Sequence, residues 1–232
     1  MLELLTRRLF RHLDEHCNTK RINFEPGDGE ARRIFTANAW MEHRRDRVRM
    51  HNYVAQKLHN ERGFVVHHVD ADQTWEQYTT QTQRPQVTKL DPLLLIPVRK
   101  ILHEQYRRRS PESSEPVLRA EVDGRIARFF RLIPCWEIEA WLYQNTEPAR
   151  RLCKHRPTCQ CEALLTQWRA DRSLLDEVEN PSDRLCLGKD HNQALAQGFP
   201  TAEVYRASKS LAAALDAMRG CDALLHAIQR TY

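Results

Sequence analysis

The segment from Gly63 to Asp72, GFVVHHVDAD, restricts the fold more than any other part of the chain. Its β-branched run predicts a buried strand over residues 64–69, directly followed by Asp70 and Asp72. Apolar periodicity predicts helices over residues 1–17, 30–60 and 92–109, and further strands over 21–25, 117–122 and 126–133. Alternating strands and helices predict an α/β fold with a partly parallel central sheet flanked by helices.

The second half of the chain has a different pattern from the first. Residues 136–144 read as a helix, and the remainder is helical apart from a Cys/His-rich loop at 153–161 and a break at 180–191. We therefore expect an α/β core over residues 1–145 and a helical C-terminal part over 146–232, both within one domain.

Glycine is scarce, with 7 in 232 residues, and this excludes several function classes. The chain has no phosphate-binding P-loop, no dinucleotide-binding glycine motif and no nucleophile elbow. No apolar run approaches the roughly 18–20 residues of a membrane span, and the N-terminus lacks the pattern of a secretory signal. The odd number of cysteines, 7, then favours a reduced, cytoplasmic protein without a membrane partner.

The net charge of +5 is concentrated in two arginine-rich segments. Arginine suits phosphate because its planar group donates two parallel hydrogen bonds, so a nucleic-acid partner is one interpretation. A solvated helix face with acidic neighbours such as Glu42 and Asp46 is the other. The candidate nucleic-acid contacts in these segments are Arg44, Arg45, Arg47, Arg107, Arg108 and Arg109.

Two acidic pairs follow predicted strands. Residues two apart in a strand point the same way, so Asp70 and Asp72 are expected to leave one sheet edge together, where they could bind Mg²⁺ or Mn²⁺. Glu137 and Glu139 follow the strand over 126–133. The alternatives are a turn or helix cap for the aspartates and an acidic first helical turn for the glutamates. Together, the two pairs favour a divalent-metal site.

Two further sets of residues have coordinating side chains. Cys153, His155, Cys159 and Cys161 could hold Zn²⁺, with Cys186 or His191 in place of one ligand, or they could be ordinary thiols in a basic loop. In the strand over 64–69, alternation directs one of His67 and His68 inward, where we expect a buried core histidine.

Three stretches together resemble a bacterial TOPRIM-like family related to the RloB-type and OLD-type nucleases. They are FVVHHVDAD at 64–72, RLIPCWEIEAWLYQ at 131–144, and the tail over 187–228. The resemblance implies a TOPRIM fold that cuts phosphodiester bonds with Mg²⁺ or Mn²⁺. It makes Asp70 and Asp72 the metal-binding pair and Glu137 or Glu139 a further acid. Lys189 takes the place of the family's lysine segment, and Cys221 begins the terminal patch.

The chain departs from this family at its start. The family opens with a strand that ends in Glu-Gly, whereas this sequence begins with the following helix, so that strand is expected to be missing. Glu25 is either the substitute acid or part of a turn. The resemblance also implies an ABC- or SMC-type ATPase partner in antiphage defence, and a homo-oligomer is a further possibility. The alternatives are a catalytically inactive docking subunit and a zinc-stabilised nucleic-acid-binding module.

Overall fold

The computed structural model describes residues 1–25, 39–80, 85–153 and 161–231, and in these ranges the chain is mostly helical around a small sheet. The two strands are β1, Val65–His68, and β2, Phe129–Leu132. The α-helices are α1 Leu2–Leu13, α2 Arg44–His59, α3 Trp75–Thr80, α4 Pro85–Thr88, α5 Ile96–Arg109, α6 Glu115–Ile126, α7 Glu139–Leu142, α8 Thr146–Cys153, α9 Glu162–Ala170, α10 Asn192–Gln197, α11 Thr201–Ala207, α12 Lys209–Arg219 and α13 Asp222–Gln229.

Short turns complete the architecture. A π-helical turn over Asp91–Leu95 leads directly into α5. The 3₁₀ turns lie at Thr19–Arg21, Ala39–Met41, Arg172–Glu177, Pro181–Asp183 and Lys189–His191. None of the helices in the described ranges is long and apolar enough to cross a membrane.

Strands β1 and β2 are parallel, with Val65 opposite Phe129 and His68 opposite Leu132. Because side chains alternate along a strand, each face of the sheet packs against its own apolar core. Val66 and Phe130 contact the larger core, while Val65 and Phe129 contact the smaller one. Helical layers therefore cover both faces of a parallel sheet, which agrees with the expected α/β class, although the sheet has only two strands in the described ranges.

The larger core joins the two ends of the chain. Leu5 on α1, Trp141 on α7 and Leu215 on α12 are all fully buried in it. Helix α1 thus packs among helices from the C-terminal part. The smaller core comes from the middle of the chain: Trp40, Val54 on α2 and Leu102 on α5 pack there beside α6.

Two of the strands expected from the sequence are wrong. Residues 117–122 lie in α6, where Pro116 occupies the first turn and Leu118 and Val122, four residues apart, are buried on one side. Over 21–25 the chain forms no strand. Arg21 ends a 3₁₀ turn, and Ile22 and Phe24 pack against the larger core, with no strand among the described residues paired to them.

Other expectations are confirmed in part. The helices expected over 1–17 and 92–109 correspond to α1 and α5, and the strands expected over 64–69 and 126–133 correspond to β1 and β2. Of the helix expected over 30–60, the structure shows α2; residues 30–38 lie outside the described ranges. The helix expected over 136–144 is limited to α7.

Candidate functional site

The pairing of the two strands continues beyond their formal ends. Val69 donates its backbone N–H to Leu132 at 3.1 Å, and Ala71 donates to Pro134 at 3.2 Å. This every-second-residue pattern is that of a parallel ladder, so the chain stays extended through Ala71. Asp70 therefore points to the same face as Val66, toward the larger core, and the segment leading to Glu137 runs beside it.

Three backbone turns close this end of the sheet. Asp72, Trp136 and Asn180 have φ values of 51°, 57° and 47°, and they are the non-glycine residues with positive φ in the described ranges. They are also linked: Asp72 N–H donates to the Trp136 carbonyl at 2.9 Å, and Trp136 Nε1 donates to Asn180 Oδ1 at 2.5 Å. Left-handed non-glycine residues are costly and cluster at functional sites, so their grouping here marks this end of the sheet.

The left-handed turn changes the expectation for Asp72. The side-by-side orientation predicted for Asp70 and Asp72 requires an extended backbone at both positions. Asp70 meets this condition, but at Asp72 the chain turns and its N–H bonds to Trp136 out of the alternating register. The two carboxylates therefore do not leave the sheet as a simple strand pair.

Glu139 begins α7 at this edge and is 3% exposed. Asn192 Nδ2 donates to its Oε1 at 2.6 Å. Burial raises the pKa of Glu139 most strongly; the Asn192 hydrogen bond opposes this, and the charges of Glu137 and Asp70 raise the pKa further. Three of the predicted acids, Asp70, Glu137 and Glu139, therefore lie near enough at this end of the sheet for their charges to interact.

Glu137 and Asp70 differ in their partners. Glu137 Oε1 accepts the backbone N–H of Ser182 at 2.6 Å, so the turn over Pro181–Asp183 fixes its carboxylate. Asp70 Oδ1 lies 2.9 Å from His68 Nε2. That contact lacks hydrogen-bond geometry, and both buried atoms are without a hydrogen-bond partner among the described residues. Asp70 Oδ1 thus has no hydrogen-bond donor in the described part of the chain, although the His68 ring lies against it.

The donor chemistry of this edge fits Mg²⁺ or Mn²⁺. Carboxylate oxygens are the ligands that these ions prefer, and Asp70 Oδ1 is a buried acceptor without a donor. Within the described ranges no group of three His, Cys, Asp or Glu side chains is arranged to hold a metal ion. A complete all-protein cage is therefore not formed, but Mg²⁺ commonly uses one or two carboxylates together with water and substrate phosphate.

Of two other predicted site residues, Glu25 lies away from the carboxylates and Lys189 lies beside them. Glu25 is ion-paired with Lys57, near the C-terminal end of α2. The Lys57 carbonyl packs against Gly63, two residues before β1 begins, so the structure does not bring Glu25 to the carboxylates that follow β1. Lys189 is exposed in the 3₁₀ turn that leads into Asn192, beside the Glu139 edge.

The predicted basic contacts divide into two groups. Arg47 donates to the Met41 carbonyl at 2.7 Å, and Arg107 contacts the Ser113 carbonyl at 3.0 Å and Glu115 at 2.6 Å, so both hold local structure. The exposed members are Arg44, Arg45, Arg108 and Arg109. They lie on α2 and α5, the helices of the smaller core.

The predicted zinc ligands are only partly visible. His155 and Cys159 lie outside the described residues, while Cys153 and Cys161 are buried in the larger core. Cys161 Sγ lies 3.6 Å from Cys186 Sγ and accepts the Cys186 N–H at 3.2 Å. The structure thus pairs Cys161 with Cys186, the residue that the sequence offers as a replacement ligand.

Sequence reasoning missed the residues that organise the carboxylates. Asn180, Ser182 and Asn192 all come from the segment that the sequence shows as a break in the helices, at 180–191 and just after it. The only signal was polar composition without periodicity, which indicates a loop but not what it contacts.

Comparison with known proteins gives no relative to argue from: no family model, no curated protein and no solved structure matches this chain.

Proposed function

We propose that this protein is a divalent-metal-dependent nuclease that hydrolyses phosphodiester bonds with Mg²⁺ or Mn²⁺. One observation carries the proposal. Asp70, Glu137 and Glu139 all follow the ends of two parallel strands, the charges of Asp70 and Glu137 act on Glu139, and Asp70 Oδ1 is buried there without a hydrogen-bond donor in the described part of the chain. The carboxyl ends of parallel strands are where α/β proteins place their ligands, and paired carboxylates are typical holders of a divalent cation.

Each carboxylate has a role that its surroundings support. Asp70, with Glu139, would hold the cation, which when bound polarises a phosphate and lowers the pKa of a water molecule. Glu137, whose carboxylate is fixed by the Ser182 N–H, would help to position the chain at the same end of the sheet. Glu139 has a raised pKa in the metal-free protein because it is buried and other carboxylates lie nearby, and a bound cation would favour its charged form by offsetting that repulsion.

The exposed arginines supply the phosphate contacts in this proposal. Arg44, Arg45, Arg108 and Arg109 extend from the helices of the smaller core, and Lys189 stands beside the carboxylate edge. Contacts to the phosphate backbone are electrostatic and independent of base sequence, so binding would weaken steeply with salt.

The proposal includes the wider system that the resemblance implies. The fold would be TOPRIM-like, and the chain would act in the cytoplasm with an ABC- or SMC-type ATPase in bacterial antiphage defence. A catalytically inactive docking subunit of the same fold is the alternative, and the left-handed turn that separates Asp72 from Asp70 favours it.

Cleavage assays distinguish these two functions. Plasmid and single-stranded DNA and RNA are incubated with Mg²⁺ or Mn²⁺ and with the wild type, Asp70→Ala or Glu203→Ala, which removes an exposed carboxylate on α11 and serves as the control. We expect cleavage by the wild type and Glu203→Ala and none by Asp70→Ala. Equal cleavage by all three proteins would remove the assigned site. No cleavage by the wild type, either alone or with its ATPase partner, would favour the docking subunit.

A zinc-stabilised nucleic-acid-binding module is the second candidate function, and the cysteine pair favours it. Two thiolates on one tetrahedral zinc, with bonds of about 2.3 Å, lie about 3.8 Å apart. The 3.6 Å separation of the Cys161 and Cys186 sulfurs is close to that value. Elemental analysis should find one zinc per wild-type chain and less in Cys186→Ser; a zinc-free wild type would exclude this module.

A further inference from the structure

Asn192 is a buried amide at the carboxylate edge to which the sequence assigned no role. It is the first residue of α10 and follows the turn over Lys189–His191. The side chain is enclosed, since the residue is 5% exposed, and its Nδ2 donates to Glu139 Oε1 at 2.6 Å. The hydrogen bond to Glu139 therefore accounts for the NH₂ group of the Asn192 side chain.

The other half of this amide is not satisfied. Asn192 Oδ1 is buried and has no hydrogen-bond partner among the described residues. Leaving a buried acceptor unpaired costs about 1–3 kcal/mol, so such an atom in a native protein requires an explanation. Exchanging the amide oxygen and nitrogen offers none, because the oxygen would then face the Glu139 carboxylate.

Two such oxygens belong to the same site. Asp70 Oδ1 is the second buried acceptor without a donor, and Asp70 is close enough to Glu139 for its charge to raise the pKa of that residue. Amide bond lengths place Asn192 Oδ1 within about 5 Å of Glu139 Oε1. Oxygens bound to one cation at about 2.1 Å are about 3–4 Å apart, so a cation bound to Glu139 would have to draw Asn192 Oδ1 and Asp70 Oδ1 to that separation.

We propose that Asn192 Oδ1 is a neutral oxygen ligand of the divalent cation held by Asp70 and Glu139. The inference rests on the proposed function, because it extends the same metal site. An amide suits this position since it supplies a hard oxygen without adding charge beside three carboxylates. Its N–H₂ group meanwhile holds Glu139 in place when the cation is absent.

Substitutions at Asn192 separate ligation from simple positioning. Asn192→Leu removes the oxygen and the hydrogen bond, and Asn192→Asp replaces the neutral oxygen by a charged one. Asn145→Leu is the matched control, because Asn145 is also buried and donates to the α10 carbonyl of Leu195 at 2.8 Å. Mn²⁺ binding by each full-length protein is measured by calorimetry, and thermal unfolding is recorded with and without Mn²⁺.

We expect Asn192→Leu to weaken Mn²⁺ binding by at least about 10-fold, while Asn145→Leu keeps the wild-type affinity. Without metal, Asn192→Asp should melt at a lower temperature than the wild type. Adding Mn²⁺ should raise its melting temperature more than that of the wild type, because the cation relieves the added repulsion. Wild-type affinity in Asn192→Leu, or no larger gain in Asn192→Asp, would overturn the assignment. Absence of Mn²⁺ binding by the wild type would also overturn it.

These readouts do not depend on cleavage, so the two proposals fail separately. A protein that binds Mn²⁺ through Asn192 but cuts no nucleic acid keeps the ligand assignment and loses the nuclease function. A protein that cuts nucleic acid while Asn192→Leu binds Mn²⁺ normally keeps the function and loses the ligand.

Discussion

His67 and Glu139 are both buried ionisable residues beside the same small sheet, but their surroundings differ. His67 is 6% exposed on the side of the smaller core, with its ring 6.1 Å from the Trp40 ring and 5.8 Å from the Phe129 ring. Glu139 is 3% exposed on the side of the larger core and is surrounded by an amide and other carboxylates. Burial alone therefore does not identify a functional residue, whereas the chemistry of the neighbours does.

Burial is the largest cause of the pKa shift in both His67 and Glu139. Burial, together with the charges of His68 and Arg131, lowers the pKa of His67 to about 4. Burial raises the pKa of Glu139, as do the neighbouring carboxylates. Each shift favours the neutral form, but only the glutamate has neighbours that a cation could join.

The largest expected effect is on cleavage. Glu139→Gln keeps an oxygen to accept the Asn192 hydrogen bond but removes the charge, so we expect the rate to fall about 10²–10³-fold. His67→Leu, an equally buried change on the other side of the sheet, should retain the wild-type rate. Single-turnover cleavage with saturating Mg²⁺ measures both. Equal losses in the two variants would mean that the comparison reflects general damage to the fold.

The next effect is on stability at low pH. Between pH 6.5 and 4 the unfolded chain protonates His67 while the folded protein does not, so this residue lowers stability as the pH falls. A shift of this size corresponds to about 3 kcal/mol across that window. Urea unfolding at several pH values should show this loss in the wild type relative to His67→Leu. Parallel pH profiles would contradict the assignment.

Glu139 should show the opposite sign in the metal-free protein. Its folded pKa is raised above the ordinary value of 4.5, so its contribution to stability is complete at low pH and is lost as the pH rises. In the presence of a chelator, Glu139→Gln should therefore gain stability over the wild type on going from pH 4 to pH 8. A difference that is constant with pH would show that the glutamate ionises freely.

The sequence predicted the members of the carboxylate site better than their geometry. Asp70 and Glu139 are identifiable because acids follow apolar strand-like runs, and that placement depends only on local pattern. The left-handed turns at Asp72 and Trp136 were not predictable, because neither residue is glycine and each turn is held by hydrogen bonds across the sheet end. Residues 117–122, expected as a strand, instead form part of α6, where Pro116 in the first turn and the buried pair Leu118 and Val122 favour a helix.

A smaller effect tests whether Asp72 belongs to the carboxylate site or only to its turn. Asp72→Gly removes the strain of the positive φ and should stabilise the fold by up to about 1 kcal/mol. Asp72→Asn keeps a residue that tolerates this backbone. If the carboxylate binds the cation, both variants should lose Mn²⁺ affinity even though both residues tolerate this backbone. Unchanged affinity in both would assign Asp72 to the turn alone.

The smallest effect concerns the smaller-core side. If Arg44 and Arg45 contact phosphates, replacing both with Ala should weaken nucleic-acid binding several-fold. The slope of the logarithm of the binding constant against the logarithm of the salt concentration should fall by the equivalent of about two ionic contacts. Cleavage at saturating substrate should stay unchanged, so binding and chemistry would divide between the two sides of the sheet. Fluorescence anisotropy over a range of salt concentrations measures this; an unchanged slope would remove these arginines from the interface.

The sheet itself has a consequence for how the molecule opens. Phe129 and Phe130 are consecutive residues that enter different cores, so unfolding of β2 exposes apolar surface of both cores at once. Amide hydrogens in α2 and α12 should therefore exchange with solvent through one shared opening event. A cation bound where the strands end would slow exchange in both helices together, including those far from it.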